Sequence, residues 1–305
     1  MPLPARTIRR LLLARVLVTS LAAVSIPLSA TNQSSLAHRP ADIDVALQRT
    51  RQYVTRFARE MPFVLAREHY EQIVRSPMGS FGKTAGVVSA RRLTESEVRM
   101  AHLARGVWFM SREVLSVDGV RLAPSASQTA AGDDLTSENT IALMKRVIAE
   151  NARWNLGGIH RNINSPTLVL WFLTDEMYDH FRFRVAGEER LASGERCDVY
   201  SLQEVGAPLM QVDGAATAAA GQVWVLRDTG EVVKTTLTLE RGRSAEVQAR
   251  ARVDVTYMRD SRLNFWVPAT MVERYEYPRD READTLTAKA EYSGYQRFEV
   301  GVRIK

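Results

Sequence analysis

Cysteine is almost absent from this sequence: Cys197 is the only one in 305 residues. A single thiol excludes an internal disulfide and any zinc site built from several cysteines. Cys197 lies in the strand-like run "ERCDVYSL", where we expect a small, half-buried side chain. A chain of this length does not need disulfides, because one core can bury roughly three quarters of its unfolded surface.

Complete catalytic motifs are also missing. There is no Gly-x-Ser-x-Gly elbow of the kind that holds an esterase nucleophile. The five histidines are scattered along the chain, whereas a helical zinc site needs two of them one turn apart. Acidic residues are numerous, but sequence alone does not pair two of them into the facing carboxylates of a glycosidase. We therefore predict no catalytic residue, no metal ligand and no cofactor.

The segment 76–84, "SPMGSFGKT", imitates a phosphate-binding loop. That motif needs Gly, four residues and then Gly-Lys-Ser/Thr, because this length lets successive backbone N–H groups wrap the phosphates. The position of the first glycine is taken by Pro77, which has no N–H to donate. The sequence after the motif is also a poor helix. We interpret the segment as a glycine-containing hairpin connection.

The N-terminus has the order of an export signal. Arg6, Arg9 and Arg10 form a positive first segment, Arg15 follows, and an apolar run of 13 residues (16–28) comes next, with small residues after it. This order is typical of a cleaved signal peptide, and the run is shorter than the roughly 20 residues that cross a bilayer. We predict a signal peptide at 1–30, with cleavage as late as 37 and an uncleaved anchor as alternatives. The mature protein is then periplasmic or secreted.

The predicted signal peptide carries much of the net positive charge of the chain. Residues 1–30 contain four arginines and no acid, so their removal lowers the formal charge from +6 to +2. A mixed surface near neutrality gives no electrostatic reason to expect nucleic acid as a partner. Contact with a membrane is expected to be transient at most, and the oligomeric state stays open.

Two segments have helical periodicity. Apolar residues recur at three-to-four spacing in 42–61, and Pro62 ends the pattern. The segment 137–155 has a similar pattern, which Gly157-Gly158 closes. The run "SPTLVLWFL" (165–173) has a serine cap and a proline at the first helical position, which favours a short buried helix over a buried strand. The apolar residues of the first helix are Val45, Leu47, Val54, Phe57 and Met61.

The remaining segments have strand patterns. "FVLAREHYEQIV" (63–74) predicts a long strand, and Asp118-Gly119 predicts a tight hairpin turn. From Phe181 onward the pattern has period two, turns are closely spaced, and no helix intervenes, so we predict an antiparallel meander. In "HFRFRVAG" the two faces are formed by Phe181, Phe183 and Val185 on one side and by Arg182 and Arg184 on the other.

The predicted fold class is α+β: a curved antiparallel β-sheet, a half-barrel meander, covered by two or three helices. Residues 38–305 are predicted to form a single domain with surface loops near 123–136 and 206–221. The second loop is interpreted either as a lid or as a disordered insertion. Such a half-barrel is filled by side chains or encloses an apolar cavity, and the sequence leaves both open. The predicted inner residues include Val223, Val225, Val253, Val255, Tyr257, Val300 and Val302.

Polar residues gather in "ENARWNLGGIHRNIN" (150–164), at the end of the second predicted helix. One hypothesis is a site for an anionic or amide-bearing ligand. The other is a structural role, because Asn and Arg cap helix ends and bind loop carbonyls. The five tryptophans are expected in the core. The candidate ligand-binding residues are Glu150, Arg153, Asn155, His160, Arg161 and Asn162.

Several segments resemble a group of uncharacterised secreted bacterial proteins: "EVLSVDG", "SPTLVLWFL", "GQVWVLRDTGEVVKTTL", "VDVTYMRDSRLNFWVPATMVERYEY" and "YSGYQRFEV". This likeness covers most of residues 40–305. The paired strands of the form G-x-V-W-V…D-x-x-G-x-V-V-K are also remotely similar to the periplasmic lipoprotein carriers. That resemblance implies an open antiparallel barrel with a helical lid and an apolar interior. The extra helix 137–155 departs from the carrier layout.

Three functional hypotheses follow. The first is an exported, non-enzymatic envelope protein that binds a lipid or lipoprotein acyl chain inside the curved sheet. The second is a protein-interaction or scaffold module with a filled core, which would expose an apolar patch. The third is a periplasmic hydrolase that uses carboxylates or the region around His160. The space between helices and sheet distinguishes the first hypothesis from the second.

Overall fold

The computed structural model describes residues 40–76, 87–102, 108–123, 149–156, 163–212, 215–240, 250–279 and 282–297. All of them belong to one compact unit, His38–Lys305. The predicted signal peptide and the segment "GSFGKT" lie outside the described residues, and both stay predictions. Within the described residues, no helix has the length and apolarity needed to cross a membrane.

Helices form a small part of the described chain. The long helix α1 (Pro40–Glu60) continues into a 3-10 turn, Met61–Phe63, and confirms the first predicted helix. The predicted short buried helix is also confirmed as one turn, α2 (Leu168–Trp171), and a second 3-10 turn follows at Tyr178–His180. Of the second predicted helix, 137–155, only the end is described, with helical residues at 149–152.

Thirteen strands account for most of the described residues, and every pairing between them is antiparallel. Their bounds are β1 (Val64–Ser76), β2 (Val87–His102), β3 (Trp108–Val117), β4 (Val120–Arg121), β5 (Phe181–Arg190), β6 (Arg196–Glu204), β7 (Met210–Val212), β8 (Ala215–Thr217), β9 (Ala219–Leu226), β10 (Val232–Glu240), β11 (Arg250–Asp260), β12 (Phe265–Arg279) and β13 (Glu282–Arg297).

Eleven of these strands form one open, curved sheet. Its order is β4-β3-β2-β1-β13-β12-β11-β10-β9-β6-β5, and β7 with β8 forms a separate hairpin. The predicted fold class is therefore confirmed: an antiparallel sheet with few helices. The first strand of the sheet in the chain, β1, lies inside the sheet as the fourth strand from the β4 edge, because β2 pairs with one side of β1 and β13 with the other.

One face of the sheet, here called the inner face, carries the main core. The predicted inner residues Val223, Val225, Val253, Val255 and Tyr257 are buried there, whereas Val300 and Val302 lie outside the described residues. Helix α1 packs onto this core through Leu47, Val54 and Phe57, and Phe57 meets Phe265 edge to face at 6.0 Å between ring centroids.

Several local expectations need correction. Val45 is 53 % exposed, because it lies two residues before Leu47 and so points roughly away from the buried stripe of the helix. The predicted surface loop at 206–221 contains the hairpin of β7 and β8 and the start of β9. The predicted loop at 123–136 is described only at Ala123. Cys197 is fully buried instead of half-buried.

The predicted tight turn at Asp118-Gly119 is confirmed. Asp118 and Gly119 both have positive φ, 50° and 81°, in the turn between β3 and β4, as a tight hairpin requires. Gly230 has a φ of 74° and lies against the backbone of Arg49 and Thr50 in α1. A side chain there would meet α1, so the turn before β10 sets how closely this helix approaches the sheet.

Gly221 in β9 generates a stability prediction. A Cβ at this position would lie 2.1 Å from the backbone oxygen of Thr236 in β10, which is far inside van der Waals contact. Gly221→Ala is expected to lower the free energy of unfolding by about 1–3 kcal/mol, the usual range for overpacking. Urea unfolding followed by tryptophan fluorescence measures this change, and an unchanged midpoint would contradict the close packing of β9 on β10.

Candidate functional site

The inner face carries a buried polar cluster that the sequence analysis did not single out. Its residues lie on three strands of the sheet, and all have relative exposures of 7 % or less. Two of them are carboxylates and one is a guanidinium. The buried polar cluster consists of Glu68, Tyr70 and Gln72 of β1, Arg112 of β3, and Glu273 and Tyr275 of β12.

The ion pair of Arg112 with Glu68 is the centre of this cluster. Arg112 Nε donates to Glu68 Oε2, and Arg112 Nη2 donates to Oε1 at 2.9 Å, so the contact is bidentate. The two side chains are 3 % and 0 % exposed. Burial by itself lowers the pKa of Arg112, but the charge and hydrogen bonds of Glu68 outweigh it and hold the pKa above its ordinary value. Arg112 is therefore permanently charged.

The second carboxylate is held by tyrosines. The hydroxyls of Tyr70 and Tyr275 donate to Glu273 at 2.7 Å and 2.5 Å. The guanidinium of Arg112 lies over the ring of Tyr70, 5.5 Å from its centroid. Both carboxylates of the cluster are thus engaged by donors and are fully buried. Each finds the hydrogen bonds that a buried charge requires.

The polar cluster also holds the chain that covers the inner face. We call residues 149–156 and 163–173 the covering segment. Gln72 binds it like a peptide group, because its Nε2 donates to Trp154 O at 3.1 Å and its Oε1 accepts from Leu156 N at 2.9 Å. Arg112 Nη2 donates to Asn164 O at 3.1 Å. Side chains of the sheet therefore bind the backbone of the covering segment.

The covering segment also fills the interior with apolar side chains. Tyr257 of β11 donates its hydroxyl proton to Pro166 O at 2.7 Å, and Phe172 stacks on Phe181 with ring centroids 4.4 Å apart. These residues belong to the main core and are almost inaccessible to solvent. The buried apolar residues of the segment are Ile163, Val169, Leu170, Phe172 and Leu173.

Among the described residues, the cavity that lies between this segment and the sheet is small. A cavity of about 20 Å³ is bordered by the covering segment at Pro166 and Thr167. That volume holds about one water molecule, and small-molecule sites usually measure about 300–1,000 Å³. Its lining is mainly apolar and includes Met61, Val64, Ala66, Val98, Met100, Met110, Pro268, Tyr292 and Tyr295.

The predicted ligand-binding residues are only partly brought together. Glu150 and Arg153 form an exposed i,i+3 ion pair at 3.6 Å, and Arg153 lies over the ring of Trp154. Asn155 is half-buried, and its Nδ2 has no hydrogen-bond partner among the described residues. His160, Arg161 and Asn162 lie outside the described residues, so the predicted ligand site itself stays a prediction.

Comparisons with known proteins give no relative. No protein-family model matches the chain, and no curated protein matches it. Several solved structures are remotely similar, and two of them are described here. One is a structure of lipovitellin that concerns its lipid-protein interactions, with 10% identity, a TM-score of 0.30, and coverage of 80% of this chain and 26% of that chain. The chain thus spans about a quarter of that protein.

The other solved structure is that of MucB in complex with MucA(peri). It shares 11% identity with this chain at a TM-score of 0.20, and the match covers 86% of this chain and 100% of that chain. Both likenesses to proteins with β-structure are remote, and neither supports an assignment of function.

The buried ion pair generates a prediction. Arg112→Met is expected to lower the free energy of unfolding by about 3–5 kcal/mol, because it leaves Glu68 buried without its partner. The double variant Glu68→Leu with Arg112→Met should recover much of that loss. Arg252→Met is the control: its partner Asp254 lies on the outer surface, where a pair contributes roughly 0–1 kcal/mol. Urea unfolding measures the free energy of unfolding of all three variants. A loss for Arg112→Met as small as the loss for Arg252→Met would contradict the prediction.

Buried tyrosines predict that the folded protein loses stability at alkaline pH. Burial raises the pKa of Tyr200 to about 12, and it also raises the pKa values of Tyr53, Tyr257, Tyr292 and Tyr295. The unfolded chain releases these protons near pH 10, whereas the folded protein retains them. The contribution of these buried tyrosines to the free energy of unfolding is therefore fully present below about pH 10, and it is lost as the pH rises through their raised pKa values.

Urea midpoints measured from pH 8 to pH 11 test this expectation. The midpoint should fall above about pH 10, and Tyr295→Phe should reduce the steepness of that fall because it removes one titrating group. A midpoint that stays constant across this range would contradict the buried state of these hydroxyls.

Proposed function

We propose that this chain is an exported, non-enzymatic binding protein of the cell envelope, a protein-interaction module with a filled interior. The observation that supports the proposal is the covering segment, whose described residues border a cavity of only about 20 Å³. A cavity of that size, lined by described residues, has no room for a lipid in this conformation, so we place recognition on the surface.

The chemistry of the polar cluster supports a structural role. Glu68 and Glu273 are fully buried and receive their hydrogen bonds from Arg112 and two tyrosines. A general acid or base must come within hydrogen-bonding reach of its substrate, and both of these carboxylates have no exposed surface. Their position supports anchoring of the covering segment over catalysis, so a periplasmic hydrolase is the weaker alternative.

The exposed apolar residues do not favour recognition through one large apolar patch. Those with substantial exposure lie on different elements and number six among the described residues: Val45, Phe63, Leu115, Val120, Val185 and Met258. Single apolar residues of this kind are normal on a soluble protein. Recognition by an interaction module of this shape would rest on polar and backbone groups.

Binding of a lipid or lipoprotein acyl chain is the second candidate function. Three methionines, Met61, Met100 and Met110, border the small cavity beside Pro166. Methionine side chains are flexible and adapt to irregular apolar ligands. An acyl chain would enter only if the covering segment moved away from the sheet, because the present volume is far too small. This candidate therefore requires an open state.

A matched pair of tyrosine variants separates the two candidates. Tyr257 donates to Pro166 O of the covering segment at 2.7 Å, and Tyr295 donates to Pro268 O within the sheet at 2.6 Å. Tyr257→Phe and Tyr295→Phe each lose one buried hydrogen bond, at a cost of about 1 kcal/mol. Only Tyr257→Phe loosens the covering segment.

The measurement is titration of wild type and both variants with a fluorescent fatty acid. The interaction module predicts no uptake by any of the three, and native mass spectrometry should show the wild-type protein without lipid. Uptake by Tyr257→Phe that exceeds uptake by Tyr295→Phe would contradict the filled interior and favour the acyl-chain candidate. Hydrogen exchange in residues 163–173 reports independently whether the segment is loosened.

A further inference from the structure

We propose that the edge of β5 binds, by strand addition, an extended segment of another polypeptide in which acidic and apolar residues alternate. This inference rests on the proposed interaction function and names its surface and partner. Strand addition uses the unpaired backbone groups at the edge of a sheet, while alternate side chains of the added strand provide specificity.

The two edges of the sheet differ in how they are protected. At the β3 edge, Asn151 Oδ1 accepts from Arg112 N at 2.9 Å and Asn151 Nδ2 donates to Met110 O at 2.6 Å. The amide of Asn151 thus occupies backbone groups that a neighbouring strand would otherwise use. At the other end of the sheet, β5 pairs with β6 and with no other described strand.

The outer face of β5 carries unneutralised positive charge. Arg182 and Arg184 are exposed, and the guanidinium group of neither has an ion pair or hydrogen bond with the described residues; the one side-chain contact, from Ser201 Oγ at 3.4 Å, goes to the backbone oxygen of Arg184. Their cross-strand neighbours on β6 are Gln203 and Ser201, which are uncharged. Carboxylates on an added strand would lie opposite these guanidinium groups and form the charge-assisted hydrogen bonds that arginine favours.

The inner face of β5 is apolar and incompletely covered. Phe183 stacks on Tyr178 with ring centroids 4.8 Å apart, and both side chains are half-buried. Val185 is 39 % exposed. Apolar residues on the added strand would extend the core over this row, so the partner needs apolar side chains on one face and acidic side chains on the other.

The same charges disfavour a second copy of this chain as the occupant. Two β5 strands that pair antiparallel about Phe183 would place Arg182 opposite Arg184, and like charges directly opposite are destabilising. Charged residues on an edge strand are a usual protection against such self-association. The β5 edge therefore disfavours pairing with the β5 edge of a second copy and favours pairing with an acidic strand.

The irregularity of β5 limits the length of the site. The register with β6 shifts between Val185 and Gly187, and a bulge of this kind bends the strand and interrupts its ladder. The regular edge available to a partner is therefore 181–185. A bound segment would match these five residues and would carry its acidic side chains opposite Arg182 and Arg184.

The test uses two capped nine-residue peptides, one alternating Glu with Val and one alternating Lys with Val. The full-length mature protein should bind the Glu peptide about tenfold more tightly than the Lys peptide, as two cross-strand charge pairs allow. The variant Arg182→Glu with Arg184→Glu should reverse the preference. The control variant, Arg67→Glu with Arg274→Glu, has the same net charge but changes exposed residues of central strands and should behave as wild type.

Hydrogen exchange locates the bound peptide. Added protection confined to 181–185, with the preference reversed in the edge variant alone, supports the proposal. No binding of the Glu peptide, equal binding of both peptides, or reversal in both variants would overturn it. A wild-type dimer protected at 181–185 in sedimentation and exchange measurements would also overturn it.

Failure of the edge assignment is distinguishable from failure of the proposed function. If the Glu peptide binds but protects another surface, the interaction function survives and the β5 assignment is overturned. If no peptide binds while the fatty acid enters beneath the covering segment, both are overturned.

Discussion

The buried contact of Arg112 with Glu68 is the interaction on which the rest of the structure depends. It places two opposite charges on the inner face of the sheet, where removal from water costs several kcal/mol per ion unless each is fully paired. Arg112 also donates to Asn164 O, so a single guanidinium joins β3, β1 and the covering segment. The segment in turn provides the apolar side chains that close the interior. The pair thereby couples the central strands to the chain that hides them from solvent.

The periodicity of the sequence was sufficient to predict the architecture. Alternation after Phe181 reflects a sheet with one wet face and one buried face, and it predicted both the antiparallel pairing and the inner valines. Helix α1 followed from three-to-four spacing; the one-turn helix α2 lies in the run predicted as a short helix, but its N-cap is Thr167 and not the predicted Ser165. These signals depend only on residues that are close in the chain, so they can be read from a single sequence.

The polar cluster could not be predicted, for a physical reason. Alternation indicates which residues share a face, but it assigns the polar ones to solvent. In β1, Glu68, Tyr70 and Gln72 share the face that points inward, although the same stretch also contains polar residues that point outward. The partners of these residues come from β3, β12 and the covering segment, each distant in the chain. Sequence proximity pointed instead to 150–164, where polar residues are dense but the described ion pair of Glu150 with Arg153 faces solvent.

The position of β1 between β2 and β13 has a consequence for biosynthesis. One side of this strand pairs with β2, which follows soon after it, but the other side pairs with β13, more than two hundred residues later. Contacts at such separation are slow to form, and a strand with an unsatisfied edge invites aggregation. A nascent chain that stalls before residue 282 would therefore leave one edge of β1 unpaired, although β1 is an interior strand of the finished sheet. Such an incomplete chain would be prone to aggregation until β13 is synthesised and pairs with β1.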